Sequence, residues 1–210
     1  MVKTTGRRVF VTFALIGVAL ALVVPATAQQ PAQPAGTPTE QPTREDPLRF
    51  TAFNVSMPAG IAGTTQITIE RWSTVEERQA LLELVATATP GQRGQEPLLN
   101  ALQDIEPRTG FIRTPNSLGW DLKYAVEFTM PDGTRQIVIA TDRPVSFAAA
   151  ANSARSMDYP FTLIEMRMKP GEEGEGRMLG ATSIAVEDGR IQLENYGREP
   201  VRLTSIKQEQ

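Results

Sequence analysis

The chain contains no histidine and no cysteine. That excludes disulfides, Ser-His-Asp and Cys-His nucleophiles, thiolate or imidazole zinc sites and a histidine-ligated haem. No apolar run reaches the ~20 residues a membrane-spanning helix needs; the longest, Val9 to Val24, has 16. Basic residues do not cluster, and 21 Lys and Arg face 24 Asp and Glu for a net charge of −3. Nucleic acid and anionic membranes both select for clustered cations, so neither is an expected partner. Asp, Glu, Lys, Tyr, Ser and Arg are left to carry any chemistry.

What is present begins with an export signal. Lys3, Arg7 and Arg8 precede the apolar run without a single acid, Pro25 ends it, and Ala26-Thr27-Ala28 supplies small residues for a signal peptidase. Residues 1–28 therefore read as a signal peptide and the protein as exported, periplasmic or extracellular. Cleavage removes three positive charges and takes the net charge to −6. Residues 29–46 contain no Val, Ile, Leu, Met, Phe, Tyr or Trp, so the stretch has little to offset its ordering entropy and reads as a disordered linker. Residues 47–210 read as one globular domain, with length enough to bury roughly 70% of its unfolded surface.

Within that domain the dominant period is two. Trp120, Leu122, Tyr124, Val126, Phe128 and Met130 alternate with Asp121, Lys123, Ala125, Glu127 and Thr129, predicting one long strand with a wet face. Asp132-Gly133 predicts a tight turn with positive φ into a partner strand over 136–141. Asp188-Gly189 predicts a second hairpin between the runs containing Ile184 and Leu193, and 201–206 closes the chain as a strand. Further strands are expected at 48–56, 64–72, 108–114 and 160–169. Two helices interrupt them. Ser73 and Glu76 predict a capping box ahead of Leu81, Leu82 and Val85, and Pro97 predicts the first turn of a second helix that stops at Pro107. The expected fold is mostly β (α+β): an antiparallel β-sandwich or partly closed barrel of about nine strands with a two-helix insertion.

The 19 residues Asp142 to Pro160 have no clear period, and irregular loops of that length are often binding loops. Arg143 and Arg155 offer planar forks of donors, Asp158 and Tyr159 add polar contacts, and Trp120 and Phe147 offer an apolar wall. Arg113 joins this set if its strand lies on the same side. A simpler role for the arginines is to pin the loop through Asp142 and Asp158. Asp121, Glu127, Asp142, Asp158 and Glu165 are the acids available for a paired-carboxylate hydrolase, although Glu165, Arg167 and Lys169 alternate as a solvated face would. Gly171 to Gly176 is an acidic turn that repels phosphate and lacks the alternation of a calcium loop.

The segments GWDLKYA (119–125), ATDRPVSF (140–147), SMDYPFTLIEMR (156–167) and ENYGREPVRLTSI (194–206) together resemble a group of exported bacterial proteins to which no activity is assigned. The resemblance spans most of 60–207. It implies a bacterial source and export, and carries over no site residue. The leading expectation is a non-catalytic binding domain for a small molecule or peptide near the 142–160 loop, with no cofactor and no metal. The alternatives are a structural or protein-interaction module of the cell envelope and, behind it, the hydrolase.

Overall fold

The protein's structure, a computed structural model, describes residues 40–56, 61–114, 117–145, 158–187, 190–195 and 199–209. Ten strands in this set form one antiparallel sheet, with two helices inserted after the second strand. The strands are β1 Leu48–Ser56, β2 Ile61–Ile69, β3 Gly110–Arg113, β4 Trp120–Leu122, β5 Tyr124–Thr129, β6 Arg135–Thr141, β7 Phe161–Met168, β8 Gly174–Glu187, β9 Arg190–Asn195 and β10 Val201–Glu209. The helices are α1 Val75–Thr87 and α2 Gln92–Gln103.

Sequence order and spatial order nearly coincide. The sheet runs β4-β3-β2-β1-β10-β8-β7-β6-β5, so its two edge strands are consecutive in the chain and separated only by Lys123. β4 pairs with β3, β5 pairs with β6, and the Lys123 N–H donates to Ala140 O at 3.0 Å. One interrupted strand thus bonds to both ends of the sheet and brings it round into a nearly closed barrel. β9 and β10 likewise follow one another along β8, with Asn195 opposite Thr182 and Val201 opposite Met178. The predicted mostly-β fold is what the chain adopts, in its barrel form.

Closure leaves no wet face on β5. Ala125 and Glu127 lie opposite Ile139 and Ile137 and point inward, while Tyr124 and Val126 face outward. Phe50, Ile67, Ile112, Leu122, Ile139 and Met178 belong to the interior core. A second core forms outside, where Leu81, Leu98 and Leu102 of the helices meet Phe161, Leu179, Ile184 and Leu193. The expected polar face of residues 121–129 is therefore corrected: Lys123 and Glu127 are both buried. Lys123 breaks the alternation because its ammonium reaches carbonyls at and just past the end of α2, Gln103 O at 3.2 Å and Ile105 O at 3.1 Å, and pairs with Glu106 at 3.0 Å. Those carbonyls have no helical partner, and a cation at a helix C-terminus satisfies them.

Both helix starts differ from the sequence expectation. The capping box is Thr74 with Glu77, one residue later than Ser73 with Glu76. The Ser73 hydroxyl is taken by the Ala125 N–H at 3.1 Å, which frees Thr74 for the cap. Glu77 also holds Arg71 through both carboxylate oxygens, at 2.8 and 2.9 Å. α2 starts at Gln92 and carries Pro97 inside it. Two distant groups draw Gln92 to Glu96 into helix: Asp158 accepts from Gln92 N at 2.9 Å, and Gln95 bonds both backbone groups of Ile184. Gln95 thereby fills the place of a strand partner on the edge of β8 beyond the start of β7.

Three smaller corrections follow. β8 begins inside the predicted acidic turn, because Gly174 and Gly176 pack where a Cβ would collide with Met168 Cγ and Glu165 O respectively. Of the pair Asp132-Gly133, only Gly133 has positive φ, +79°; Asp132 instead accepts from Thr134 N at 2.9 Å. Glu40, inside the stretch read as linker, is bonded to the domain: its carbonyl accepts from the Trp72 indole at 2.8 Å and its carboxylate from Gln208 at 2.7 Å. Asp188-Gly189 lies outside the described residues.

Candidate functional site

The barrel's two rims are finished differently. At the lower rim, where β5 turns into β6, a chain of polar side chains crosses the interior. Glu127, with a side chain 0% exposed, pairs with Arg135 Nε at 2.5 Å, and Arg135 Nη1 donates to Gln208 at 2.7 Å. Gln208 then donates to Glu40, which seats residues 40–46 over that rim. Gln208 faces inward because a bulge at Ser205 (φ +50°) shifts the alternation of β10 between Leu203 and Ile206. Every polar atom named in this chain has a partner.

The upper rim gathers the ends of β1 at Ser56, β3 at Arg113 and β6 at Thr141, with the starts of β2, β4 and β7. Among the described residues its interior wall is neutral. On β1, Leu48, Phe50 and Ala52 alternate inward, and Asn54 follows in phase opposite Leu203 on one side and Gly63 on the other. On β2, Thr65 lies opposite Ala52 in phase with Ile67 and Ile69. Asn54 is 6% exposed and Thr65 0%. Five buried side-chain atoms among the described residues have no hydrogen-bond partner, Asn54 Oδ1, Thr65 Oγ1, Arg78 Nε, Thr109 Oγ1 and Thr134 Oγ1, and of these only Asn54 and Thr65 lie on adjacent strands. A buried polar group without a partner forfeits its solvation for nothing, at about 1–3 kcal/mol. The two are diagonal neighbours on adjacent strands, about 7–8 Å apart at Cα. Gly63, on the same interior row, puts no side chain beside them. Trp120, half-buried against the same core, faces inward from β4 opposite Ile112.

Elsewhere at this rim the hydroxyls of Thr141 on β6 and Thr162 on β7 are satisfied. Val145 N donates to Thr162 Oγ1 at 2.8 Å and to Gly180 O at 3.1 Å; Thr162 donates to Gly180 O, and Thr141 bonds Arg143 O. Val145 is consequently drawn into the interior core. Thr114 and Ser117 bond one another at the β3–β4 connection.

The residues singled out from sequence are spread over several faces. Arg143, mostly exposed, clamps the buried Asp142 at 3.2 Å, and that hydrogen bond holds its guanidinium above the ordinary arginine range. Asp158 caps the start of α2. The Tyr159 hydroxyl donates to Glu194 on β9 at 3.1 Å. Arg113 stacks over Phe111 at 4.9 Å on the outer surface, and Arg108 lies over the same ring at 5.1 Å. Arg155 and Phe147 lie outside the described residues. Of the described members, Trp120 is the one that faces the barrel interior.

The acids considered for hydrolysis are each engaged. Asp121 pairs with Arg108 at 2.7 Å, Glu127 with Arg135, Asp142 with Arg143, and Asp158 with the α2 N-terminus. Glu165 is buried, which corrects its expected solvated face. Arg177 and Arg167 hold its two oxygens, and Gln136 donates to it at 2.7 Å. Among the described residues no group of three or more acids is placed to hold a metal ion, and no helix is long and apolar enough to cross a membrane.

Asn54 and Thr65 were not singled out from sequence. The signal was nonetheless present, as an asparagine in phase with Leu48, Phe50 and Ala52. No family model, curated protein or solved structure matches the chain.

Proposed function

We propose that the protein is an exported, non-catalytic binding barrel that takes a small molecule against the inner wall of its upper rim. The observation that carries this reading is the pair of buried, unpartnered polar atoms on Asn54 and Thr65. Native interiors leave few such groups, and a bound species that supplies the missing bond accounts for some of those they leave. Gly63 and the inward Trp120 suit the reading, since concave sites combine apolar walls with a few placed polar groups. Export is supported by the charge and apolar pattern of residues 1–28.

Native mass spectrometry of protein released gently from the exported fraction tests this. The expected result is a noncovalent adduct of small mass that falls in abundance when Thr65 is replaced by Val. Bare protein in every preparation, together with no thermal shift from a panel of neutral, anionic and peptide compounds, contradicts it.

A further inference from the structure

We infer that the group held at the upper rim is a neutral hydroxyl on an otherwise apolar small molecule; this rests on the binding reading above. The orphan on Asn54 is a carbonyl oxygen, which can only accept, so the ligand must donate there. The orphan on Thr65 is a hydroxyl, which can donate in return. A single ligand hydroxyl does both, donating to Asn54 Oδ1 and accepting from Thr65 O–H. The two residues are diagonal neighbours across β1 and β2, with Gly63 opposite Asn54, so one oxygen placed between them would reach both side chains.

Charge selects the same class. The interior charges named above, Glu127 and Arg135, sit at the lower rim and neutralise one another. At the upper rim Arg113 and Arg143 point outward, and the buried Asp142 already has its cation. An ionised carboxylate or ammonium entering among Asn54, Thr65 and Trp120 meets no counter-charge among the described residues and loses its hydration uncompensated. Neutral hydrogen-bonding groups do not incur that loss. An ether is neutral too, but it has no proton for Asn54.

The test is calorimetric titration of the purified protein with three probes of matched size: hexan-1-ol, its isomer methyl pentyl ether, and hexanoate at neutral pH. Hexan-1-ol is expected to bind, with the ether roughly 3- to 10-fold weaker for want of a donated bond and hexanoate weaker still. Thr65→Val and Asn54→Leu should each lower hexan-1-ol affinity by a similar factor, whereas the ether, whose oxygen can still accept from Thr65 O–H, should weaken in Thr65→Val but be little changed in Asn54→Leu. Thr65→Val preserves side-chain shape and keeps the test open if Asn54→Leu does not fold. Equal affinity for alcohol and ether, tighter binding of hexanoate, or hexan-1-ol binding unmoved by Thr65→Val overturns the hydroxyl assignment but leaves uptake intact. Binding of none of the three, when a native adduct is present, also overturns it. Absence of both probe binding and any adduct removes the binding reading itself.

Discussion

Replacing Thr65 by Val should stabilise the ligand-free protein. Thr65 is fully buried on the interior face of β2, and its hydroxyl has no partner. Valine keeps the branched shape and the strand preference, and substitutes a methyl group for the hydroxyl. The unsatisfied hydroxyl costs about 1–3 kcal/mol, and an apolar replacement of equal shape removes that cost. Some of the gain returns through the unfolded state, so a net of about 1–2 kcal/mol is the reasonable expectation. For a domain of this size that corresponds to a rise of roughly 2–8 °C in Tm. The assay is urea denaturation of protein refolded free of bound molecules, with the midpoint rising and the slope unchanged. Saturating hexan-1-ol should then stabilise the parent by RT ln(1 + [L]/Kd), about 2.7 kcal/mol at a hundredfold excess over Kd, and the variant by less. A loss of stability in ligand-free Thr65→Val refutes the reasoning, because the hydroxyl would then serve the fold and not a ligand.

Other expectations test the scaffold. Arg135→Leu leaves the buried Glu127 carboxylate without its cation and should cost about 3–5 kcal/mol, whereas the double variant Glu127→Met/Arg135→Met should recover most of it; chemical denaturation of both distinguishes a paired from an idle charge. Gly133→Val should cost on the order of 1–2 kcal/mol, because φ is +79° there while a Cβ meets only Pro170 at ordinary contact distance; an unchanged midpoint contradicts the turn. Removing residues up to Asp46 deletes two hydrogen bonds from Glu40 and should lower Tm by roughly 2–8 °C, read by melting both chains. Burial raises the Glu77 carboxyl, but the Arg71 hydrogen bonds and the Thr74 N–H outweigh it, so its pKa lies below the ordinary 4.5. A depressed folded-state pKa gives stability that is complete above 4.5 and is lost as pH falls through the lower value, and Glu77→Gln should flatten that acid limb of a stability–pH curve.

Much of the strand pattern was legible because alternation is local. β1 over Leu48–Ser56 has the predicted limits, and β6 and β7 fall within a residue or so of theirs. The errors arose where a distant group outweighed a local signal. Pro97 read as the first turn of the second helix, yet Asp158 and the Ile184 backbone draw the residues before it, from Gln92, into helix. Lys123 read as a wet-face lysine until carbonyls at and just past the end of α2 drew it in and inverted the phase of everything after it. That inversion puts Glu127 inside the barrel, opposite Ile137. Barrel closure itself depends on β4 and β5 finding partners at opposite ends of the sheet, which no window of sequence contains.

The site was less legible for a related reason. The irregular 142–160 loop drew attention because binding residues concentrate in loops. Its described arginine instead pairs with Asp142, and its Asp158 serves a helix. Asn54 and Thr65 belong to strands with ordinary composition. Their significance comes from lacking partners, a property that only the assembled barrel defines.

The central claim is that a small neutral ligand sits against Asn54 and Thr65 inside the upper rim. Amide and side-chain NMR of uniformly labelled protein, titrated with hexan-1-ol, tests it most directly. The account predicts shifts centred on the Asn54 side-chain amide, the Thr65 N–H and the Trp120 indole N–H, with Arg113, Arg143 and Tyr159 unmoved. Shifts confined to those three outer residues, or none anywhere at saturating alcohol, contradict it.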